Sequence, residues 1–404
     1  MTKASAVGGA PGKGHGRIDD IEVLRGVAVI FVLIEHARIN LFPWIGGAET
    51  RLYTYFGFWS GVDLFFAISG FVIARSLLPT LATKTDAVAF FNAAIAFWVR
   101  RAWRLLPSAW LWLAIILAAS AFFNRAGAFW PFRANLEGAV AAVLDVANFR
   151  IMTVFRAADP GASFHYWSLS LEEQFYIALP FLAYALRQRL PYLLAFVVVG
   201  QFFVTRAGPD TTKLGLILNQ LRTDAISLGV LIAIWSEHPT YRLFEPTMLA
   251  KPRLLGVTAL VLLVFLLAAA STQALDLVPF QIGLVAVISA VLVLIASYDR
   301  DYLCPDGPFK PFMLWVGSRS YALYLIHIPA YFLAREIWFR IEPPGTVFDA
   351  AYGLRFLLTG GALLVSLTEL NYQFVELPLR SRGARIAQTL SGRVQRQRRV
   401  PVEA

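Results

Sequence analysis

Cysteine is almost absent from this chain of 404 residues: Cys304 is the one thiol. An intrachain disulfide is therefore excluded, and between Leu303 and Pro305 the thiol has no ligand-spaced neighbour with which to hold a metal. Charge is scarce too, since Asp, Glu, Lys and Arg make up 15% of the sequence, against roughly 25% in a soluble domain. No nucleophile elbow, Walker loop, dinucleotide loop or helical His-x-x-x-His pair is present, which removes the usual signatures of serine-hydrolase, nucleotide and zinc chemistry. The residues before Ile21 are polar and glycine-rich without an apolar core, so no cleaved leader is expected there.

What the chain has in abundance is apolar surface, with 58% hydrophobic and 14% aromatic residues. Runs such as 254–270 and 281–296 approach the length needed to cross a hydrocarbon core of about 30 Å. Windows of about 19 residues predict about ten spans, near 21–41, 56–78, 105–123, 164–186, 190–207, 214–236, 254–271, 278–298, 311–339 and 350–377. The expected fold is all-α, a polytopic domain over residues 18–380 in the cell membrane. A flexible tail (1–17) precedes it and a basic tail (381–404) follows. With the N-terminus in the cytoplasm, Lys and Arg concentrate on the cytoplasmic side, and an even number of spans returns the C-terminus there. Residues 135–149 are fairly apolar but short, and Glu137 and Asp145 interrupt them, so they are expected to re-enter or lie along the membrane. No repeat relates the two halves, which disfavours a transporter built from duplicated bundles.

The formal net charge of +10 raises the question of nucleic acid, and the distribution of charge answers it. Seven arginines lie between Arg380 and Arg399 with no acidic residue until Glu403. A juxtamembrane basic cluster of this kind meets anionic lipid, so the expected partner is membrane lipid and no nucleic acid.

Against this apolar background a few polar groups stand out. Arg25 and His36 lie eleven residues apart in "LRGVAVIFVLIEH", a step of about 16 Å and about 20° that places both on one helix face. Ionisable groups at that depth point to function by default. Arg101 and Arg104, in "RRAWRLLP", also share a face near a helix start, where the dipole favours phosphate, although arginines mark cytoplasmic helix ends in general. Asp63 and Ser69 interrupt "GVDLFFAISGF"; an unpaired carboxylate there is costly, so Asp63 is expected to have found an arginine. In "HYWSLSLEEQFY", Ser170 and Glu173 read as a capping box, which leaves Glu172 and His165 without a structural reason. Trp167 reads as part of an interfacial aromatic belt and Ser168 as a polar neighbour in the same run. Later come Tyr321, Tyr324 and His327 in "SYALYLIH", the histidine alone reading as a packed core residue, and Glu376 at the end of the last span. Metal-free, histidine-centred chemistry is what remains.

These segments, in this order, resemble the integral-membrane acyltransferase 3 family over about residues 18–380. The resemblance implies an O-acyltransferase that takes an acyl group, acetyl foremost, from cytoplasmic acyl-coenzyme A and passes it to a hydroxyl of a carbohydrate, glycolipid or similar acceptor. No permanently bound cofactor is implied. His36 matches the family's essential histidine, as general base. Arg25, Arg101 and Arg104 match its coenzyme-binding cations. Glu172 matches an acidic position that either orients His36 or binds the acceptor. Asp63, Ser69, Trp167, Ser168, Glu173, Tyr321, His327 and Glu376 remain as substrate-binding or structural polar positions. Glu35 departs from the family's pattern and is expected to pair with Arg38 or another arginine, or to face a second cavity. Some relatives carry an added hydrolase-like domain, and the expectation here is a stand-alone member with acceptor selection in 124–163 and 340–349. The competing readings are a transporter or acyl-group flippase without turnover, and a non-catalytic partner in envelope assembly.

Overall fold

In lipid, a long apolar segment can satisfy its own backbone groups only as a helix or in a closed barrel. The computed structural model describes residues 17–42, 44, 48–84, 86–154, 159–204, 213–275, 278 and 280–397, and no strand occurs among them. Most of the expected N-terminal tail and the end of the basic tail lie outside the described residues.

The helices run in order as α1 (Asp19–Asn40), α2 (Ala48–Tyr55), α3 (Gly61–Ala82), α4 (Ala87–Phe122), α5 (Phe132–Val143), α6 (Ala147–Val154), α7 (Tyr166–Leu186) and α8 (Leu190–Phe202). They continue as α9 (Lys213–Gln220), α10 (Asp224–Ser236), α11 (Arg253–Ala270), α12 (Gln281–Ser297), α13 (Phe309–Ser318), α14 (Ser320–Ile341), α15 (Gly353–Asn371) and α16 (Leu377–Gln397), the last two joined by a π turn at Tyr372–Glu376. Five helical stretches are long and apolar enough to cross a membrane, namely 61–82, 87–122, 166–202, 253–270 and 350–390, and α10 and α12 are shorter apolar helices. The outward face of α11 shows the environment required: Leu254, Val261, Leu262 and Phe265 are 71%, 61%, 61% and 55% exposed. A helix apolar on all sides belongs in lipid, and the chain is an all-α polytopic membrane protein.

Several boundaries differ from the hydropathy reading, each for a local reason. α4 begins at Ala87, far ahead of the expected 105, because the Asp86 side chain caps it by accepting the Ala89 N–H at 2.8 Å. One rod therefore carries Arg100, Arg101 and Arg104. The expected sixth span is broken at 221–223 between α9 and α10, and the ninth is divided at Arg319 between α13 and α14. Residues 135–149 fall across α5 and α6, helices of 12 and 8 residues, about 18 and 12 Å long, which is too short to cross. Their connection tucks beside α7: Gln174 donates to the Asp145 carbonyl at 2.5 Å and the Ala147 N–H to Ser170 Oγ at 3.3 Å. That serine contact also corrects the expected capping box. α7 starts at Tyr166 with His165 at the cap position, so Ser170 lies inside the helix.

The centre of the bundle is α3, flanked by α1, α10 and α12. It approaches α10 backbone to backbone: a Cβ at Gly70 would lie 2.0 Å from the Ile226 carbonyl oxygen, and one at Gly229 2.1 Å from that of Ala67. Small residues are what let membrane helices close to this distance. Beside this seam Asp63 is fully buried and receives two guanidinium hydrogen bonds from Arg222, whose other face lies 4.5 Å from the Trp59 ring centroid. The break at 221–223 is what brings Arg222 to Asp63, so the arginine this carboxylate was expected to need is supplied by an interrupted helix.

Two stability measurements follow from this packing. Gly229→Ala is expected to destabilise the protein in detergent by about 1–3 kcal/mol through overpacking, while Gly200→Ala, with no atom within 4 Å of the added methyl, leaves thermal unfolding unchanged. Asp63→Leu alone strands a buried guanidinium and is expected to cost about 3–5 kcal/mol, most of which Asp63→Leu/Arg222→Met recovers.

Candidate active site

α1 is clamped at both ends. At its start the Asp20 carboxylate accepts the N–H groups of Tyr302, Leu303 and Cys304 at 2.8, 3.3 and 3.3 Å. Burial, with the Asp20 charge adding to it, pushes the Cys304 thiol above its ordinary range, which suits an inert packing residue. Near the other end, Tyr53 donates to the Ile34 carbonyl at 2.7 Å, Tyr331 to that of Leu33 at 3.1 Å, and Asn40 to that of His36 at 2.8 Å. Glu35 accepts the Phe58 N–H at 2.8 Å and so fixes the turn into α3, while the Arg38 guanidinium lies over the Tyr53 ring. Of the roles open to Glu35, a second cavity or a pairing with Arg38 or another arginine, no ion pair is found among the described residues; it makes a backbone contact instead.

His36 meets His327 from α14. Its Nδ1 lies 2.8 Å from His327 Nε2, with the ring centroids 4.9 Å apart and the ring planes inclined by 25°, and His327 Nδ1 is 2.7 Å from the Tyr324 carbonyl oxygen. His165, fully buried, presents its ring edge-on to His327 at 5.0 Å, and Phe164 stands edge-on to His36 at 5.3 Å. Three of the chain's five histidines therefore gather at one point. The orienting contact that the sequence offered to Glu172 belongs to His327.

Glu172 lies elsewhere, hydrogen bonded to Ser69 and Tyr176 in a small cavity of about 80 Å³ that also has Arg25, Arg101, Arg104, Ser168, Tyr321 and Tyr324 in its wall. A larger cavity of about 290 Å³ shares Arg25, Arg104, Ser320 and Tyr321 with it. Five arginines line that space, Arg17, Arg25, Arg75, Arg104 and Arg380, against the carboxylates of Glu22 and Glu376. Glu22 is engaged by Arg25 at 2.8 Å and by Arg17 at 3.5 Å, whereas Glu376 Oε2 and Arg104 Nε are buried without a hydrogen-bond partner. Such a surplus of fixed cations, with guanidinium donors left open, suits phosphate. The smaller cavity reaches Tyr324, whose hydroxyl lies 2.6 Å from Ser168 Oγ and 2.7 Å from the His165 carbonyl, and whose own carbonyl holds His327.

The structure thus brings together Arg25, Arg101, Arg104, Ser69, Ser168, Glu172 and Tyr321 in one wall, Glu376 in the adjoining one, and His36 with His327 beyond. It separates the rest. Asp63 is tied to Arg222, Glu173 shares a hydrogen bond with Asp145, and Trp167 packs edge-on against Phe66 at 6.3 Å. Sequence reasoning missed Arg17, Arg75 and Arg380 as cavity residues, although two of them lie within one or two turns of residues it had singled out.

A helical membrane bundle with an arginine-lined cavity at one end of α1 and a histidine pair further along it has the parts of a group-transfer site, with fixed cations for an anion at one end and imidazoles that can move a proton at the other. The comparison with known proteins agrees with that class. The acyltransferase 3 profile, described as an acyltransferase domain, matches residues 18–368. The chain belongs to this acyltransferase family.

Curated relatives include a peptidoglycan O-acetyltransferase, OatA, of Listeria monocytogenes, 28% identical over 91% of this chain and 56% of the relative. Also similar are an O-acetyltransferase OatA of Staphylococcus aureus, 24% identical over 90% and 57%, and a putative peptidoglycan O-acetyltransferase, YrhL, of Bacillus subtilis, 27% identical over 92% and 56%. The chain spans a little over half the length of these relatives. No solved structure matches it.

Proposed function

We propose that this protein is a membrane O-acetyltransferase that takes an acetyl group from acetyl-coenzyme A and passes it to a carbohydrate hydroxyl of the cell envelope. His36 acts as general base. The observation that carries this reading is the placement of a five-arginine cavity and His36 along one clamped helix. The phosphates of the coenzyme bind Arg25, Arg104 and their neighbours, and the pantetheine arm follows α1 toward the histidines. The acceptor oxygen attacks the thioester carbonyl as His36 takes its proton; the C–O bond forms, the C–S bond breaks, and the thiolate leaves with that proton. Peptidoglycan is the acceptor that the relatives' names supply, and we extend it to this chain as the first substrate to try. Glu172, held beside Arg101 by Ser69 and Tyr176, shapes the donor cavity in this reading and does not meet the acceptor.

The test is turnover by purified protein in nanodiscs with acetyl-, propionyl- and succinyl-coenzyme A, with muropeptides as acceptors. His36→Ala is expected to abolish transfer with coenzyme binding intact. Arg104→Ala, which removes charge-assisted hydrogen bonds, is expected to weaken coenzyme binding by about 10- to 100-fold. Undiminished transfer by His36→Ala overturns the assigned base, and the absence of any thioester binding overturns the donor.

A further inference from the structure

We infer that His327 is a positioning residue that fixes the tautomer of His36, so that the base atom is His36 Nε2. The inference rests on the reading of His36 as the base, and its geometry stands independently of that reading.

The argument begins at a carbonyl. The Tyr324 oxygen, 2.7 Å from His327 Nδ1, can only accept, so His327 Nδ1 carries the hydrogen. His327 is fully buried, and among the described residues no carboxylate is hydrogen bonded to either ring of the pair. A second proton would make it an uncompensated cation in an apolar interior, which is costly. His327 is therefore neutral with a bare lone pair on Nε2. That lone pair lies 2.8 Å from His36 Nδ1, so His36 Nδ1 is the donor and its hydrogen is committed. Which ring nitrogen of a histidine is free is decided by the hydrogen bond the other makes. The free atom here is His36 Nε2, to which no protein group is hydrogen bonded among the described residues.

This arrangement differs in kind from one built on a carboxylate. A carboxylate orients the imidazole and also stabilises the imidazolium that forms. His327 orients without adding charge, and the chain behind it ends at a backbone carbonyl that cannot take up a proton. The proton removed from the acceptor hydroxyl therefore stays on His36 Nε2 and leaves from the same atom to the departing thiolate. The free histidine side chain prefers its hydrogen on Nε2, so without His327 most His36 rings would present a donor where the reaction needs a lone pair.

The experiment uses the full chain in lipid nanodiscs with ¹⁵N-labelled histidine, comparing wild type, His327→Leu and His327→Gln, each with and without His36→Ala. The His36 signals are assigned as those lost in His36→Ala. In wild type they are expected to show the hydrogen on Nδ1, and in His327→Leu mainly on Nε2. The kcat of His327→Leu is expected to fall by about 10- to 100-fold, the range for loss of an orienting partner, with KM for acetyl-coenzyme A unchanged. His327→Gln, whose amide oxygen can accept from His36 Nδ1, is expected to restore most of that loss. In the His36→Ala background, His327→Leu should change nothing further.

Wild-type kcat in His327→Leu, an equal loss in the leucine and glutamine variants, or a wild-type His36 with its hydrogen on Nε2 would each overturn the inference. If wild type shows no turnover, or His36→Ala keeps it, the functional reading fails while the nitrogen spectrum still decides the tautomer.

Discussion

A charge inside an apolar bundle must be answered locally, and the architecture of this protein is organised around that requirement. Asp63 is answered by Arg222 across a broken helix. Glu336, fully buried, receives the backbone N–H groups of Arg125 and Ala126 at 3.0 and 2.8 Å together with the Arg340 guanidinium. Arg319 forms two hydrogen bonds to Glu369 at 3.0 and 3.1 Å. Arg150, whose nearest carboxylate oxygen on Glu137 is 3.6 Å away, is held by the carbonyls of Pro160 and Ala134. The arginine-lined cavity differs from these, since its cations outnumber its anions and Arg104 Nε has no hydrogen-bond partner. A site left electrostatically incomplete among many completed ones is a site prepared for an anion.

The same requirement explains why α1 can serve as a ruler. Its start is held by Asp20 and by Gly317, where a Cβ would fall 1.9 Å from the Glu22 carbonyl oxygen, so α13 lies directly on its backbone. Near its far end the carbonyls of Leu33, Ile34 and His36 accept side-chain hydrogen bonds in addition to the helical ones. A helix held at so many points keeps Arg25 and His36 at a constant separation of about 16 Å. Positioning of this kind lets binding at one end of a donor serve reaction at the other.

Much of this was legible in the sequence because it depends on local pattern. Apolar runs identify helices, a step of eleven places Arg25 and His36 on one face, and an acid among phenylalanines announces a missing cation. What could not be read depends on closure of the fold. His36 and His327 are 291 positions apart, Asp63 and Arg222 are 159 apart, and no periodicity encodes either meeting. The failed capping box at Ser170 is instructive in the same way. Its residue types were right for a helix start, but α7 begins a turn earlier, and the serine instead receives the Ala147 N–H from the connection between α5 and α6. Glu35 likewise had an arginine within one turn, yet the chain uses it to fix the entry to α3. Local chemistry states what a group needs, and tertiary structure decides which of several suppliers meets it.

The histidine pair shows how that need shapes mechanism. A carboxylate behind His36 would be a further buried anion in need of a cation of its own. A neutral imidazole anchored on a backbone carbonyl gives the same orientation at no electrostatic cost. In the proposed reaction it also leaves the imidazolium formed on His36 without a compensating charge, so the proton is surrendered readily. In that reaction a single nitrogen both receives and returns that proton, so acceptor oxygen and leaving sulfur are both brought to His36 Nε2.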